Sequence, residues 1–131
     1  MRLLLDTHIW LWGLLDPDQL GDSTRIALRS GEAELLISPI SVWETLRLAE
    51  RGRVALDPDP RRWLHKAMSV APVAEAPLTI DVALASRTVD LEHQDPADRF
   101  IVATAKVQDL TLVTADKRLL RCGDVNVMPN H

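Results

Sequence analysis

Four acidic residues occupy positions in the sequence from which their carboxylates can gather at one site. Asp6 directly follows the apolar run Leu3 to Leu5, Asp116 follows a second apolar run, and Glu44 and Asp98 fall inside predicted helices. An acid at the end of a buried strand lies at the edge of the sheet, and open α/β sheets bind ligands outside the carboxyl ends of their strands. Carboxylates gathered there repel one another unless a cation lies among them. The four acids therefore predict a divalent-metal site.

The residue types at this site indicate which metal and which chemistry to expect. Carboxylates and water suit hard cations such as Mg²⁺ or Mn²⁺, and the sequence has no cysteine-rich or histidine-rich zinc spacing. In phosphodiester cleavage one metal ion activates water, and a second, roughly 3.5 to 4 Å away, stabilises the leaving oxygen. We expect Asp6 and Asp98 to be the first ligands. Glu44 and Asp116 would complete the ligand set or orient the water.

Each of these acids also has a purely structural interpretation. Asp6 and Asp116 are suitable N-caps for the short helices predicted after them. Glu44 completes the capping-box pattern that starts at Ser41, and Asp98 in a first helical turn is favoured by the helix dipole. Taken singly, none of the four identifies a metal site, so the prediction depends on their joint pattern.

Residues beside the acids are candidates for supporting roles. Thr7 and Thr114 adjoin predicted ligands and would hydrogen-bond a carboxylate or a phosphate, although a structural threonine is commoner. Arg99 follows Asp98 and would bind a carboxylate or a phosphate, with a structural ion pair slightly favoured. Asp95 fits the N-cap of the helix that contains Asp98 and is interpreted as mainly structural.

The histidines and tryptophans are given no catalytic role. His8 and His93 lie near the acids in sequence, but water bound to a metal needs no histidine base. Tryptophan can stack on unpaired bases, yet the apolar neighbours of these side chains favour packing in the core or at an interface. This expectation covers all four tryptophans, Trp10, Trp12, Trp43 and Trp63.

Short apolar runs alternate with helical patterns along the chain. The predicted strands are Leu3–Leu5, Leu35–Ile37, a brief edge strand at Val73, Leu110–Val113 and Val125–Val127. The predicted helices are Ile9–Leu15, one capped by Asp22 or Ser23 and reaching Arg29, one from Ser38-Pro39 to about Arg51, one starting at Asp59-Pro60, Ile80–Val89, and one from Asp95-Pro96 to about Val107. Strands that alternate with helices form βαβ units. The predicted fold is a three-layer α/β/α sandwich around a mainly parallel sheet.

Length, composition and charge narrow the class of protein. A chain of 131 residues with 47% hydrophobic content is close to the commonest size of one domain, so we expect residues 1–131 to form a single domain. The one cysteine, Cys122, has no internal disulfide partner, which favours a reducing cytoplasm. No apolar run is long enough to predict a membrane span. The net charge of −4 is not typical of a general nucleic-acid binder.

Several motifs together resemble one known family. They are Leu3-Leu4-Leu5-Asp6-Thr7-His8, Ser38-Pro39 with Glu44 downstream, Asp95-Pro96-Ala97-Asp98-Arg99, and Leu112-Val113-Thr114-Ala115-Asp116. As an ordered set that spans almost the whole chain, they resemble a PIN domain. More narrowly, the chain is similar to the VapC toxins of bacterial type II toxin-antitoxin systems.

The resemblance implies a fold, an activity and partners. It implies a Mg²⁺- or Mn²⁺-dependent endoribonuclease of PIN fold, in which Asp6, Glu44, Asp98 and Asp116 match the acidic quartet of the family. It also implies a homodimer and a cognate VapB-type antitoxin. The RNA targets of the family are structured and include transfer and ribosomal RNAs, so the substrate of this chain stays open.

Other functional classes are less consistent with the sequence. A phospho-acceptor receiver expects two adjacent early acids, and a haloacid-dehalogenase-like phosphatase expects a second aspartate where this chain has His8. A PIN-like module that binds RNA or protein without cutting is the main alternative. Retention of all four acids argues against it, because an unused acidic cluster costs stability through mutual repulsion.

Overall fold

The computed structural model describes residues 1–131 and contains a five-stranded parallel sheet. The strands are β1 (Arg2–Leu5), β2 (Glu34–Ile37), β3 (Ala74–Glu75), β4 (Thr111–Thr114) and β5 (Asn126–Pro129). Their order is β3-β2-β1-β4-β5, and every neighbouring pair is parallel. Along the chain, β2 and β3 are added on one side of β1, and β4 and β5 are then added on its other side. The order therefore reverses between β1 and β4, which is where open α/β sheets bind ligands.

Seven helices connect the strands. They are α1 (Thr7–Leu15), α2 (Asp22–Arg29), α3 (Pro39–Glu50), α4 (Pro60–Val70), α5 (Ile80–Ala85), α6 (Pro96–Gln108) and α7 (Lys117–Leu120), with a 3₁₀ turn at Pro17–Gln19. None of them is both long enough and apolar enough to cross a membrane.

The sheet carries a separate apolar cluster on each face. Leu4 of β1 packs into one cluster with Leu112 of β4, while Leu3 and Leu5 pack into the other with Val113. This alternation follows from the pleat of a strand, which points successive side chains to opposite faces. Both faces are covered, so the predicted three-layer α/β/α sandwich is confirmed.

Three helices begin as their cap-plus-proline sequences predict. Ser38, Asp59 and Asp95 are the N-caps of α3, α4 and α6, and each accepts a hydrogen bond from a backbone N–H of the first turn. A proline follows each cap, because the first helical position needs no N–H donor. These starts fix where α3 and α6 present their acidic side chains.

Three predicted helix boundaries are wrong. Helix α1 begins at Thr7 and not at Ile9. The N-cap of α2 is Gly21 and not Asp22 or Ser23. The backbone of His131 occupies the space that a side chain at position 21 would need, and its carbonyl accepts the N–H of Thr24 in the first turn in place of a capping side chain. Helix α5 ends at Ala85 and not at Val89. Beyond its end, the buried side chain of Arg99 binds the carbonyl of Ser86 and holds the chain in turns.

Three of the four tryptophans pack into the core, as one of the two predicted alternatives requires. Trp10 is buried, and Trp12 and Trp63 are partly buried against the same apolar cluster. Trp43 is 53% exposed and lies under the guanidinium of Arg47, 5.4 Å from the ring centre. Its position on the outer face of α3 puts it beyond the reach of the core.

Candidate metal centre

The four predicted acids line one pocket at the carboxyl ends of β1 and β4. The pocket has a volume of about 400 Å³, and eight of its ten lining residues are polar or charged. Its lining residues are Asp6, Thr7, His8, Trp12, Glu44, Asp95, Asp98, Ala115, Asp116 and Arg118. The fold thus brings together carboxylates that are up to 110 positions apart in sequence. They come from the ends of two strands, the first turn of α6 and the middle of α3.

Asp6 is the most deeply buried carboxylate of the pocket. It leaves β1 with its backbone N–H donating to the carbonyl of Val113, 2.9 Å away. Its Oδ1 accepts from the backbone N–H of Thr7 at 2.9 Å and so caps α1, while Oδ2 accepts from the hydroxyl of Thr114 at 2.6 Å. Burial raises the pKa of Asp6, and these hydrogen bonds only partly oppose the increase.

The Thr114 hydroxyl connects two of the acids. It donates to Asp6 Oδ2 at 2.6 Å and accepts from the backbone N–H of Asp116 at 3.0 Å. Thr114 is fully buried at the end of β4, so this hydroxyl fixes the spacing of the two strand ends. It also fixes the orientation of the Asp6 carboxylate.

Glu44 reaches the pocket from α3, and Thr7 holds it there. The Thr7 hydroxyl donates to Glu44 Oε1 at 2.5 Å and lies 2.7 Å from the hydroxyl oxygen of Ser41. Burial raises the pKa of Glu44, while the hydrogen bond from Thr7 lowers it and the charge of Asp6 raises it further. Ser41 lies inside α3 and does not cap it, so the capping-box interpretation of Glu44 is wrong.

Asp98 carries the most strongly perturbed carboxyl group. Its side chain is 14% exposed, and its Oδ2 lies 3.6 Å from Nε2 of His93 and 3.8 Å from Nη2 of Arg118. Burial is the largest cause that raises the pKa of Asp98 to about 7. The other causes are the charges of the neighbouring carboxylates, Asp6, Asp95, Asp116 and Glu44. Near neutral pH this carboxyl group would readily lose its proton when a cation bound beside it and neutralised the neighbouring charges.

Asp116 is perturbed in the opposite direction. The guanidinium of Arg118 contacts it with two nitrogens, Nε at 3.2 Å from Oδ1 and Nη2 at 2.9 Å from Oδ2. The backbone N–H of Arg118 also donates to Oδ1 at 2.8 Å, which makes Asp116 the N-cap of α7. The pKa of Asp116 is lowered mainly by its hydrogen bond with the Arg118 side chain.

The remaining predicted residues divide between the pocket and the scaffold. Asp95 caps α6 through a 3.1 Å hydrogen bond with the N–H of Ala97 and also lines the pocket. Arg99 contacts no carboxylate, contrary to the expected ion pair. It is buried and donates to the backbone carbonyls of Ser86 at 2.8 Å, Leu91 at 2.6 Å and His93 at 3.3 Å. It faces away from the pocket because it is the residue next to Asp98 on the helix.

Sequence reasoning missed Arg118 and undervalued His93. Arg118 is the second residue of α7 and follows the cap Asp116 by two positions, a spacing that lets a long side chain fold back on the cap. The sequence shows only that His93 is near the acids along the chain, whereas in the structure its ring lies beside Asp98. Both ring nitrogens of His93 are buried and make no hydrogen bond.

A separate apolar cavity of about 310 Å³ lies against α1 and α2. Its polar lining is limited to the side chains of Arg25 and Arg29, and it contains no carboxylate. Acid–base or metal chemistry therefore belongs to the acidic pocket and not to this cavity.

The donor set of the acidic pocket fits a hard divalent cation. Five carboxylates line it beside a single imidazole, that of His8, and burial together with the charges of the neighbouring carboxylates raises the pKa of Asp98. No three acidic or imidazole side chains converge closely enough to enclose an ion by themselves. Mg²⁺ does not need such a cage, because it keeps several of its waters and takes one or two carboxylates. Asp6 and Asp98 would hold the ion, and waters would link it to Glu44 and Asp116.

Comparisons with known proteins agree with this geometry. The PIN domain family model matches residues 3–125. Ribonuclease VapC22 of Mycobacterium tuberculosis is 34% identical over 122 residues, which cover 89% of this chain and 88% of that protein.

Solved structures share the fold over nearly the whole chain. FitAcB from Neisseria gonorrhoeae is 26% identical with a TM-score of 0.65, over 98% of this chain and 97% of that one. VapBC2 from Rickettsia felis, bound to a DNA fragment from their promoter, has a TM-score of 0.73 at 16% identity, over 98% of each chain. The likeness to the second shows the fold alone. By the family model and the sequence relative together, this chain belongs to the PIN-domain family, in its VapC group.

Proposed function

We propose that this chain is a divalent-metal-dependent endoribonuclease and the toxin of a type II toxin-antitoxin pair. The observation that carries the proposal is the pocket in which Asp6, Glu44, Asp98 and Asp116 meet at the point where the strand order reverses. The nuclease activity is further supported by the 34% identity to a ribonuclease, VapC22. Metal dependence is inferred from the five carboxylates that line the pocket.

Each acid would have a defined part in the reaction. A bound Mg²⁺ or Mn²⁺ supplies a Lewis acid that lowers the pKa of the attacking water and stabilises charge on the phosphodiester. Asp6 and Asp98 would hold the ion, and the hydrogen bond from Thr114 would keep Asp6 in its orientation. Glu44, held by Thr7, and Asp116 would accept hydrogen bonds from water and so orient it for attack.

The partners follow from the family. Solved structures with a similar fold include a toxin-antitoxin complex from Klebsiella pneumoniae. We infer a VapB-type antitoxin that covers the acidic pocket, a homodimer of this chain, and action in the cytoplasm as a single domain spanning residues 1–131. The substrate is inferred to be a structured RNA, such as a transfer or ribosomal RNA.

Cleavage of total bacterial RNA by the purified chain tests the activity. We expect discrete fragments in Mg²⁺ or Mn²⁺, and no fragments with EDTA or with Asp98→Asn. Asp98→Asn keeps the shape of the side chain and removes its charge, so circular dichroism should show an intact fold. Fragments that persist in EDTA would contradict the role of metal. Uncut RNA from folded protein that binds Mn²⁺ would favour a module that binds without cutting.

A further inference from the structure

The guanidinium of Arg118 lies inside the acidic pocket, where it is the only permanent positive charge. Five carboxylates line the pocket: Asp6, Glu44, Asp95, Asp98 and Asp116. Arg118 is bound to one of them through two nitrogens, at 3.2 Å and 2.9 Å, and lies 3.8 Å from Asp98 Oδ2. A planar guanidinium matches two oxygens of a carboxylate or of a phosphate equally well.

The side chain is free to change partners. It is 54% exposed, and the cap of α7 does not depend on it, because Asp116 Oδ1 also accepts from the backbone N–H of Arg118. An exposed Arg–Asp pair contributes little to stability, because water screens it. The contact is therefore poorly explained as a device that stabilises the fold.

A cation that reaches the pocket changes the balance at Asp116. The cation and the guanidinium then lie close together and repel each other, and the guanidinium is the one carried on a flexible side chain. The RNA backbone brings negative charge to the same place, and it must be held against five carboxylates. Arg118 also borders a neighbouring depression, whose other lining residues are His93, Arg121, Leu91 and the acids Asp90 and Glu92.

We propose that Arg118 is a substrate-positioning residue, held by Asp116 until a divalent cation binds in the pocket, and then bound to a phosphate of the RNA backbone. The proposal rests on the proposed ribonuclease function. Arg118 would then neutralise part of the negative charge of the pocket without metal, and would bind a phosphate of the RNA when the metal is present.

Two measurements without turnover test the two halves. The first is the affinity for Mn²⁺, by titration calorimetry, of the wild type, Arg118→Gln and Arg118→Lys. Arg118→Gln should bind Mn²⁺ about fivefold more tightly, because a repelling charge a few ångströms away is removed. Arg118→Lys keeps that charge and should stay close to the wild type. Equal affinity in Arg118→Gln and the wild type would overturn the repulsion between Arg118 and the cation.

The second measurement is binding of a fluorescein-labelled 20-nucleotide single-stranded RNA in Ca²⁺, by anisotropy, as a function of salt. Arg118→Gln should bind about tenfold more weakly, and the slope of log affinity against log salt should fall by about 0.7, the loss of one phosphate contact. Arg118→Lys should keep the slope and recover part of the affinity.

A matched control separates a contact from a general change in charge. Arg62→Gln makes the same change on an exposed residue of α4, which precedes the opposite edge strand of the sheet, and should leave both measurements unchanged. An unchanged salt slope in Arg118→Gln, or an equal loss in Arg62→Gln, would overturn the proposal. A wild type that does not cut RNA would count against the ribonuclease function. A wild type that cuts RNA, together with an Arg118→Gln variant whose Mn²⁺ affinity and RNA binding are unchanged, would count against the role of Arg118 alone.

Discussion

At the scale of single residues, structural and chemical roles coincide in the same carboxylates. Asp6 caps α1 with one oxygen and accepts from Thr114 with the other, and Asp116 caps α7 while it binds the Arg118 side chain. A capping acid therefore remains a candidate ligand. The practical consequence concerns variants, since asparagine keeps the cap and removes the charge whereas alanine removes both.

Asp98→Asn should stabilise the protein in EDTA at neutral and higher pH. The folded-state pKa of Asp98, about 7, lies above the ordinary value of an aspartate, 3.8. Ionisation of Asp98 therefore costs stability, and the cost grows as pH rises from 4 through about 7. We expect a gain of about 1 to 2 kcal/mol at pH 8, after allowance for solvent screening, and almost none near pH 4.

Urea unfolding in EDTA across this pH range measures the effect, with the exposed Asp18→Asn as the control. The difference between Asp98→Asn and the wild type should shrink steadily as the pH falls. A difference that did not depend on pH would mean that the pKa of Asp98 is not raised in the folded protein.

Thr114→Val should weaken the pocket without changing its charge. The substitution keeps the shape of the side chain but removes the hydroxyl that donates to Asp6 Oδ2, which leaves a buried carboxylate oxygen without that partner. We expect a loss of about 1 to 3 kcal/mol in unfolding free energy and a loss of about 10-fold or more in Mn²⁺ affinity.

Urea unfolding and calorimetry check both values. Thr111→Val is the matched control, because Thr111 opens the same strand at its other end and is only half-buried. If Thr114→Val bound Mn²⁺ as tightly as Thr111→Val, the Thr114 hydroxyl would not be orienting a ligand.

At the scale of secondary-structure elements, the sequence best predicts the helix and strand ends that are set by neighbouring residues. The starts of α3 and α6 follow from a cap and a proline, and the end of β1 follows from an acid after an apolar run. Those three features already place Glu44, Asp98 and Asp6 near one edge of the sheet. The position of the site was therefore predictable from short segments.

Features that depend on distant contacts were not predictable in the same way. The end of α5 is set by Arg99, 13 positions further on from Ser86, and the cap of α2 by the backbone of His131. The pairing of Arg118 with Asp116 requires knowledge of how α7 turns at the pocket. No short pattern in the sequence records these tertiary contacts.

Arg99→Lys should destabilise the fold although it conserves charge. The guanidinium of Arg99 joins α6 to the segment from Ser86 to His93 through three backbone carbonyls. A lysine ammonium does not reproduce this planar set of donors, and the carbonyls stay buried. We expect a loss of about 2 to 4 kcal/mol in the free energy of unfolding.

Chemical denaturation measures this loss, with Arg87→Lys on the exposed surface as the control. Amide hydrogen exchange should also increase in the segment from Ser86 to His93. A change of less than about 0.5 kcal/mol, the range of ordinary surface substitutions, would refute the role given to Arg99.

At the scale of the whole molecule, the charge distribution sets the conditions for activity. The chain has a net charge of −4, and five of its acids line one pocket. A polyanion such as RNA is repelled by that pocket unless cations occupy it. We therefore expect the metal to be necessary for substrate binding as well as for cleavage, and both depend on an ion in the acidic pocket.

The most direct test of that claim is a crystal structure of the protein grown with Mn²⁺, with anomalous diffraction used to locate the ion. We expect an anomalous peak in the pocket, bound directly by Asp6 and Asp98, with waters between the ion and Glu44 or Asp116. The same crystals of Asp98→Asn should lack the peak or show it strongly reduced. A wild-type pocket without an anomalous peak at saturating Mn²⁺, or an ion bound only outside these carboxylates, would contradict the account.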